Sequence, residues 1–91
     1  MTRVIAIRYP TSTDMNRGSL DHLRRCIDVE DANTIKNLIG ELLFNVNALS
    51  RYNYCLIKHQ DILYAVEPVD YQKNTYVRKQ LNYHPLNNLF N

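Results

Sequence analysis

The sequence predicts one α+β domain spanning residues 1–91, in which helices cover one face of a three-stranded antiparallel sheet. Three observations predict it: a β-rich apolar run at 3–9, an apolar stripe of helical period over 32–49, and a segment at 52–67 divided by a polar break. The predicted order is β-α-α-β-β-α. The alternative is a mostly α-helical chain with an N-terminal strand.

The first strand is expected to stop at Pro10, because proline has no N–H for a strand ladder. Hydroxyl residues, Asp, Asn and a glycine then predict a loop over residues 10–19. Ser19 has the character of an N-cap for a short helix over 20–28. The apolar positions of that helix are Leu20, Leu23 and Ile27.

The long helix is the clearest element of the sequence. Its apolar residues recur at the spacing that places them on one helical face. Asp31 precedes them and predicts an N-cap, so the helix is expected over 32–49. The stripe consists of Ile35, Leu38, Ile39, Leu42, Leu43, Val46 and Leu49.

The apolar residues within 52–67 recur with a helical period, but the segment is also compatible with a β-hairpin. Tyr, Ile, Val and Cys favour strands, and the polar break at 59–61 leaves two arms of strand length. A lone N-terminal strand also needs partners, since about three strands are required for a stable sheet. We therefore predict a hairpin, with a helix as the alternative.

The end of the chain predicts one more helix and an arm. Asp70 is placed to cap a helix in which Tyr76 or Val77 and Leu81 face inward. Residues 84–91 form a C-terminal arm that carries three large apolar side chains.

Catalytic and metal chemistries find little support in the sequence. His22 with Cys26 and Cys55 with His59 are i, i+4 pairs of zinc-ligand type. On a strand, however, the second pair would be separated by about 13 Å, too far to share one ion. Neither glycine flanks a cysteine, as a turn around a nucleophile would require. We expect no enzyme, no metal and no cofactor, and both cysteines as core residues.

A second apolar strip on the long helix predicts a partner interface. Phe44 lies opposite Ile35 on the helical wheel, and Gly40 and Ala48 flank it. A glycine inside a helix costs about 1 kcal/mol relative to alanine, which a close approach by another element would offset. The arm either covers this strip or reaches a second subunit in a homodimer. The predicted interface residues are Gly40, Phe44, Ala48, Leu86, Leu89 and Phe90.

Basic residues interleaved with tyrosines predict an alternative surface for nucleic acid or anions. Arginine and lysine contact phosphates, and tyrosine stacks on bases. The net charge of +2 neither requires nor excludes this use. The predicted residues are Arg3, Arg8, Arg17, Ser19, Arg51, Tyr52, Tyr54, Lys58, Arg78 and Lys79.

These observations favour a small, non-catalytic binding protein that modulates or inhibits a larger macromolecular partner. The asparagine and tyrosine content suits AT-rich codons, which suggests a phage or mobile-element accessory protein that acts on host machinery. We expect a cytoplasmic homodimer (in the host cytoplasm if phage-encoded) without a membrane span. The alternative is a nucleic-acid-binding regulator that uses a basic, tyrosine-rich sheet face.

Overall fold

The computed structural model describes residues 2–18, 22–25, 31–45 and 52–91, and the α+β class is confirmed. Strands hold more of the described residues than helices do. The elements are β1 (Thr2–Arg8), α1 (Ser12–Arg17), β2 (His22–Arg25), α2 (Ala32–Phe44), β3 (Tyr54–His59), β4 (Ile62–Asp70), β5 (Thr75–Leu81) and a final 3-10 helix, Asn87–Phe90.

The sheet has five antiparallel strands in the order β2-β1-β3-β4-β5, rather than the three predicted. The extra strands lie at the two edges. The helix expected over 20–28 is wrong, because β2 occupies its centre and pairs with β1. The last helix is also wrong, because β5 pairs with β4 over seven residues. The mostly α-helical alternative is thereby excluded.

Helix α2 covers one face of the sheet. Its side chains pack on inward residues of β1, β3 and β4, including Val4, Cys55 and Val66. Five members of the predicted stripe, from Ile35 to Leu43, belong to this cluster, and the last two fall outside the described residues. Asp31 is the N-cap as predicted, since its carboxylate accepts a hydrogen bond from the Thr34 backbone N–H at 3.1 Å.

The C-terminal segment covers the opposite face, so the prediction that all helices share one face is wrong. Phe90 is only 4% exposed and packs in a cluster with Ile5, Leu56 and Leu63. Because both faces of the sheet are covered, the sequences of β1 and β3 are continuous apolar runs and do not alternate between apolar and polar residues. That continuity was visible in the sequence.

The hairpin over 52–67 is confirmed and is closed by a two-residue turn. Gln60 and Asp61 both have positive φ, at 50° and 65°, which is the type I′ geometry that matches strand twist. At the other end, the Asn53 side chain accepts from the Tyr9 N–H and donates to the Tyr9 carbonyl, each at 2.8 Å. This amide therefore extends the pairing of β1 with β3.

Part of the loop predicted at 10–19 is helical. Thr11 caps α1 by accepting from the Asp14 N–H, and Gly18 ends the helix with φ 75°. A Cβ at Gly18 would lie 3.0 Å from the Pro85 Cβ, so the C-terminal segment approaches this turn closely. The predicted cap at Ser19 lies outside the described residues.

Candidate functional site

A groove with an apolar floor lies between α2 and the β4–β5 hairpin. Its volume is about 370 Å³. Phe44 and Tyr76 form the floor, and polar side chains form the walls. We call it the α2–β5 groove; its residues are Lys36, Asn37, Gly40, Phe44, Asn45, Asn74 and Tyr76.

The hairpin turn builds one wall of the α2–β5 groove. The Asp70 carboxylate accepts from the backbone N–H groups of Gln72 and Lys73, at 2.9 and 3.3 Å. Asn74 takes φ 52°, a left-handed conformation that asparagine tolerates well. This turn carries Tyr71 to the end of α2 and Asn74 to the rim of the groove.

Three aromatic rings pack together at the end of α2, and two of them form the floor of the groove. Phe44 meets Tyr71 edge-on with ring centroids 5.7 Å apart, and stacks on Tyr76 at 6.3 Å. Phe44 is 9% exposed, so most of its ring is used inside the molecule. The second apolar strip predicted on the long helix is therefore covered at Phe44 by the hairpin, not by the C-terminal segment.

Gly40 leaves the groove open. Apart from the adjacent residues and the backbone of its own helix, a Cβ built at this position meets no atom of the described residues within 4 Å. The helical cost of glycine, about 1 kcal/mol relative to alanine, is thus not offset by close packing on the described residues. The described residues therefore leave the space above Gly40 open.

The groove lining offers hydrogen-bonding groups and a cation. Amides at Asn37, Asn45 and Asn74 can donate and accept hydrogen bonds, and Lys36 adds a cation. The described lining includes no carboxylate, histidine, serine, threonine or cysteine.

Strand β5 runs beside the groove and forms an edge of the described sheet. It pairs with β4 on one side, and five of its seven residues are exposed. Tyr76 and Arg78 face the α2 side, whereas Val77 and Lys79 face the other side. A strand edge offers unpaired backbone N–H and C=O groups to another chain.

The large apolar side chains that are exposed concentrate in the same part of the chain. Val69 is 63% exposed and Tyr83 is 75% exposed. Exposed apolar patches of this kind often mark interaction surfaces. Among the described residues, the exposed large apolar side chains are Ile62, Val69, Tyr71, Val77 and Tyr83.

The predicted interface residues do not form one surface within the described chain. Gly40 and Phe44 line the α2–β5 groove, whereas Leu86, Leu89 and Phe90 pack on the opposite face of the sheet. The sheet itself separates the two groups. Ala48 lies outside the described residues. Whether Gly40 and Phe44 contact a partner stays a prediction.

Two of the predicted phosphate-binding cations hold the C-terminal segment instead. Arg3 donates a hydrogen bond to the Phe90 carbonyl, and Lys58 donates to the Asn87 side-chain carbonyl at 3.3 Å. The Lys58 ammonium also lies 5.9 Å from the Phe90 ring centroid. These contacts account for both side chains within the fold.

The two tyrosines predicted to stack on bases, Tyr52 and Tyr54, are buried, and they lie on opposite sides of the sheet. Tyr52 packs on the α2 side, and Tyr54, 4% exposed, packs on the other. Burial raises the pKa of the Tyr54 hydroxyl well above its usual range and that of Tyr9 to about 12. Buried rings cannot stack on bases without loss of the core.

The remaining predicted cations lie on separate elements. Arg8 ends β1, Arg17 lies in the last turn of α1, and the Arg78 guanidinium lies 4.2 Å from the Tyr64 ring centroid. Lys79 is exposed on the other face of β5. Ser19 and Arg51 lie outside the described residues. One continuous basic face is therefore not formed by the residues that the structure describes.

Of the zinc-type pairs, Cys26 lies outside the described residues, whereas Cys55 and His59 lie on one strand, β3. Cys55 is buried in the core beneath α2, and the Nδ1 atom of His59 lies 2.6 Å from the Thr2 hydroxyl. No group of three or more His, Cys, Asp or Glu side chains gathers within the described part of the chain. Nor is any helix in those ranges long and apolar enough to cross a membrane.

Comparisons with models of protein families, with curated proteins and with solved structures found no match to this chain. Function is therefore inferred from the geometry of the α2–β5 groove and of the β5 edge.

Sequence reasoning missed the β5 edge, because Asp70 resembled a helix cap. The segment carried strand signals: Thr75, Tyr76 and Val77 all favour strands. Asn74 before them is a turn residue. Together they indicate a second hairpin directly after the first.

Proposed function

We propose that this chain is a small, non-catalytic binding protein that modulates or inhibits a larger protein partner by holding a segment of that partner in the α2–β5 groove. The observation that carries the proposal is the open space above Gly40, between an aromatic floor and amide walls. Gly40 has no packing role in the described chain. A partner that occupies the space above it would explain why a glycine lies inside the helix.

The groove residues support a peptide ligand. Side-chain amides pair with peptide N–H and C=O groups, and an aromatic floor receives an apolar side chain. Tyr71, which is 42% exposed, lies at the turn of the β4–β5 hairpin and contacts Phe44 beside the groove. A phage or mobile-element origin is carried by composition alone and stays a prediction, as does the homodimer.

Peptide selection on two matched variants tests the proposal. A displayed library of random peptides of about 12 residues, longer than a typical strand, is selected on the wild type, on Gly40→Gln and on Asn33→Gln. Gly40→Gln projects into the groove, whereas Asn33→Gln changes another exposed position of α2. Both variants keep good helix formers, so both should remain folded.

We expect peptides that bind the wild type and Asn33→Gln alike and bind Gly40→Gln at least about tenfold more weakly, since a filled pocket costs about 1.4 kcal/mol or more. Circular dichroism checks that each variant is folded. Failure to enrich any peptide, or equal binding to Gly40→Gln, would overturn the proposal.

A further inference from the structure

We infer that the partner supplies an extended acidic segment, which joins the sheet as a further strand beside β5 and directs alternate side chains into the α2–β5 groove. This inference rests on the proposed function, because it specifies the partner's chemistry at the same groove.

The backbone of β5 is suited to accept a strand. β5 is seven residues long and has a strand neighbour on one side only within the described chain. Its outer side presents main-chain donors and acceptors, and an added strand would satisfy them. Main-chain pairing of this kind gives affinity, while pockets for alternate side chains give specificity.

The groove lies where those alternate side chains would fall. Tyr76 belongs both to β5 and to the groove floor. Successive side chains of a strand point to opposite faces, so every second residue of an added strand would point to the α2 side. The space above Gly40 receives such a side chain, and the Phe44 ring contacts it from below.

Charge indicates the composition of the added strand. Arg78 and Lys79 lie opposite Val66 and Ala65 in the β4–β5 register, so neither faces a carboxylate across the pair. Lys36 adds a cation at the groove, and the described lining holds no acid. Opposite charges on neighbouring strands stabilise a pair, whereas like charges destabilise it.

The same charges disfavour a second copy of this chain at the edge. Antiparallel pairing of two β5 strands about Arg78 would set the two Arg78 side chains directly opposite each other. Antiparallel pairing centred on Val77 would place Arg78 and Lys79 of both copies close together in one short two-stranded sheet. An acidic segment meets these cations without that repulsion.

Selection and binding on charge variants test the inference. The random peptide library is selected on the wild type, and the strongest peptide is synthesised. Its affinity is measured for the wild type, Arg78→Gln, Lys79→Gln and the matched control Arg17→Gln, which makes the same change on α1. A series of the peptide with single backbone N-methyl groups is measured in parallel.

We expect selected peptides to be rich in Asp and Glu. Arg78→Gln and Lys79→Gln should each weaken binding by up to about fivefold, and Arg17→Gln should leave it unchanged. N-methylation should weaken binding by about tenfold at every second residue and have little effect between, because only alternate N–H groups of an added strand face β5.

Other outcomes separate the two proposals. Peptides that lose affinity on Gly40→Gln, but show neither acidic bias nor a period of two in N-methylation, overturn the strand addition and leave the proposed function standing. Binding that is insensitive to Gly40→Gln overturns both. Formation of a dimer that Arg78→Gln strengthens, or of a salt-sensitive complex with single-stranded oligothymidine in place of any peptide, overturns the inference in favour of those ligands.

Discussion

The C-terminal segment and strand β5 lie close together in sequence, yet their environments differ. The C-terminal segment places Phe90 in the core and is held by Arg3 and Lys58. β5 leaves Val77 and Lys79 exposed. Apolar and basic residues thus stabilise the fold in one region and remain available to a ligand in the other.

The difference teaches that residue type alone does not identify a binding surface. Arg3 and Lys58 would suit a phosphate as well as Lys79 would, but the contacts of the first two are made inside the molecule. A buried or hydrogen-bonded side chain must give up its partners before it can bind a ligand. Four variants or conditions test this contrast.

Truncation of Phe90 should have the largest effect. Phe90→Ala is expected to lower the free energy of unfolding by about 3 kcal/mol, because the ring is buried against β1 and β3. Urea unfolding measures the change. The matched control is Tyr83→Ala, an exposed aromatic of the adjacent segment, which should change stability by less than about 0.5 kcal/mol. Equal losses of stability in the two variants would contradict the difference between the buried Phe90 and the exposed Tyr83.

Truncation of Phe44 should rank second. Phe44→Ala is expected to cost about 2 kcal/mol, since the ring packs between α2 and two tyrosines but borders an open groove. Thermal unfolding followed by circular dichroism measures it. A variant as stable as the wild type would show that Phe44 is not part of the core and would restore it as an exposed contact.

Replacement of Gly40 by alanine should increase stability, whereas the two truncations of phenylalanine decrease it. Gly40→Ala is expected to raise the free energy of unfolding by about 1 kcal/mol, because alanine favours the helix and its Cβ meets no atom within 4 Å. Gly18→Ala is the informative control. It should destabilise, because Gly18 has φ 75° and lies against Pro85. A loss of stability in Gly40→Ala would mean that the space above Gly40 is occupied in the free protein.

A decrease in pH should destabilise the packing of the C-terminal segment. This effect should be the smallest of the four. The Leu86 N–H donates to His84 Nδ1 at 3.1 Å, and His84 Nε2 lies 3.3 Å from the Tyr9 hydroxyl. The rings of Tyr9 and Tyr54 pack against the imidazole. Burial holds the pKa of His84 below its usual 6.5.

The direction in which stability changes with pH follows from proton linkage. Below pH 6.5 the unfolded chain binds a proton at this histidine before the folded chain does. Stability is therefore full above pH 6.5 and falls as the pH decreases from 6.5 through the lowered pKa of His84. Urea midpoints measured from pH 8 to pH 5 should show this decline, and His84→Gln should flatten it. An unchanged slope in that variant would assign the decline to other groups.

Local patterns predicted those elements in which one interaction dominates. The Asp31 cap and the stripe from Ile35 to Leu43 repeat one helical spacing, so α2 was recognisable without a tertiary context. The first hairpin was predicted from strand-forming residues around a polar break, and the structure places its turn at Gln60 and Asp61.

Short elements with weak patterns were mispredicted, because pairing overrides local preference. Residues 22–25 and 75–81 form strands where helices were expected, and each lies at an edge of the sheet. A helix of two turns is marginal by itself, whereas an edge strand gains a ladder of hydrogen bonds from its neighbour.

The sequence by itself determined an α+β domain, a capped amphipathic helix, a central hairpin and an unexplained glycine in that helix. Only the tertiary structure decided which cations and tyrosines are used within the fold and which border an open surface. The physical reason is that exposure depends on what packs against a side chain from distant parts of the chain. Here the C-terminal segment closes one face of the sheet, while the turn after β4 leaves a groove beside Gly40.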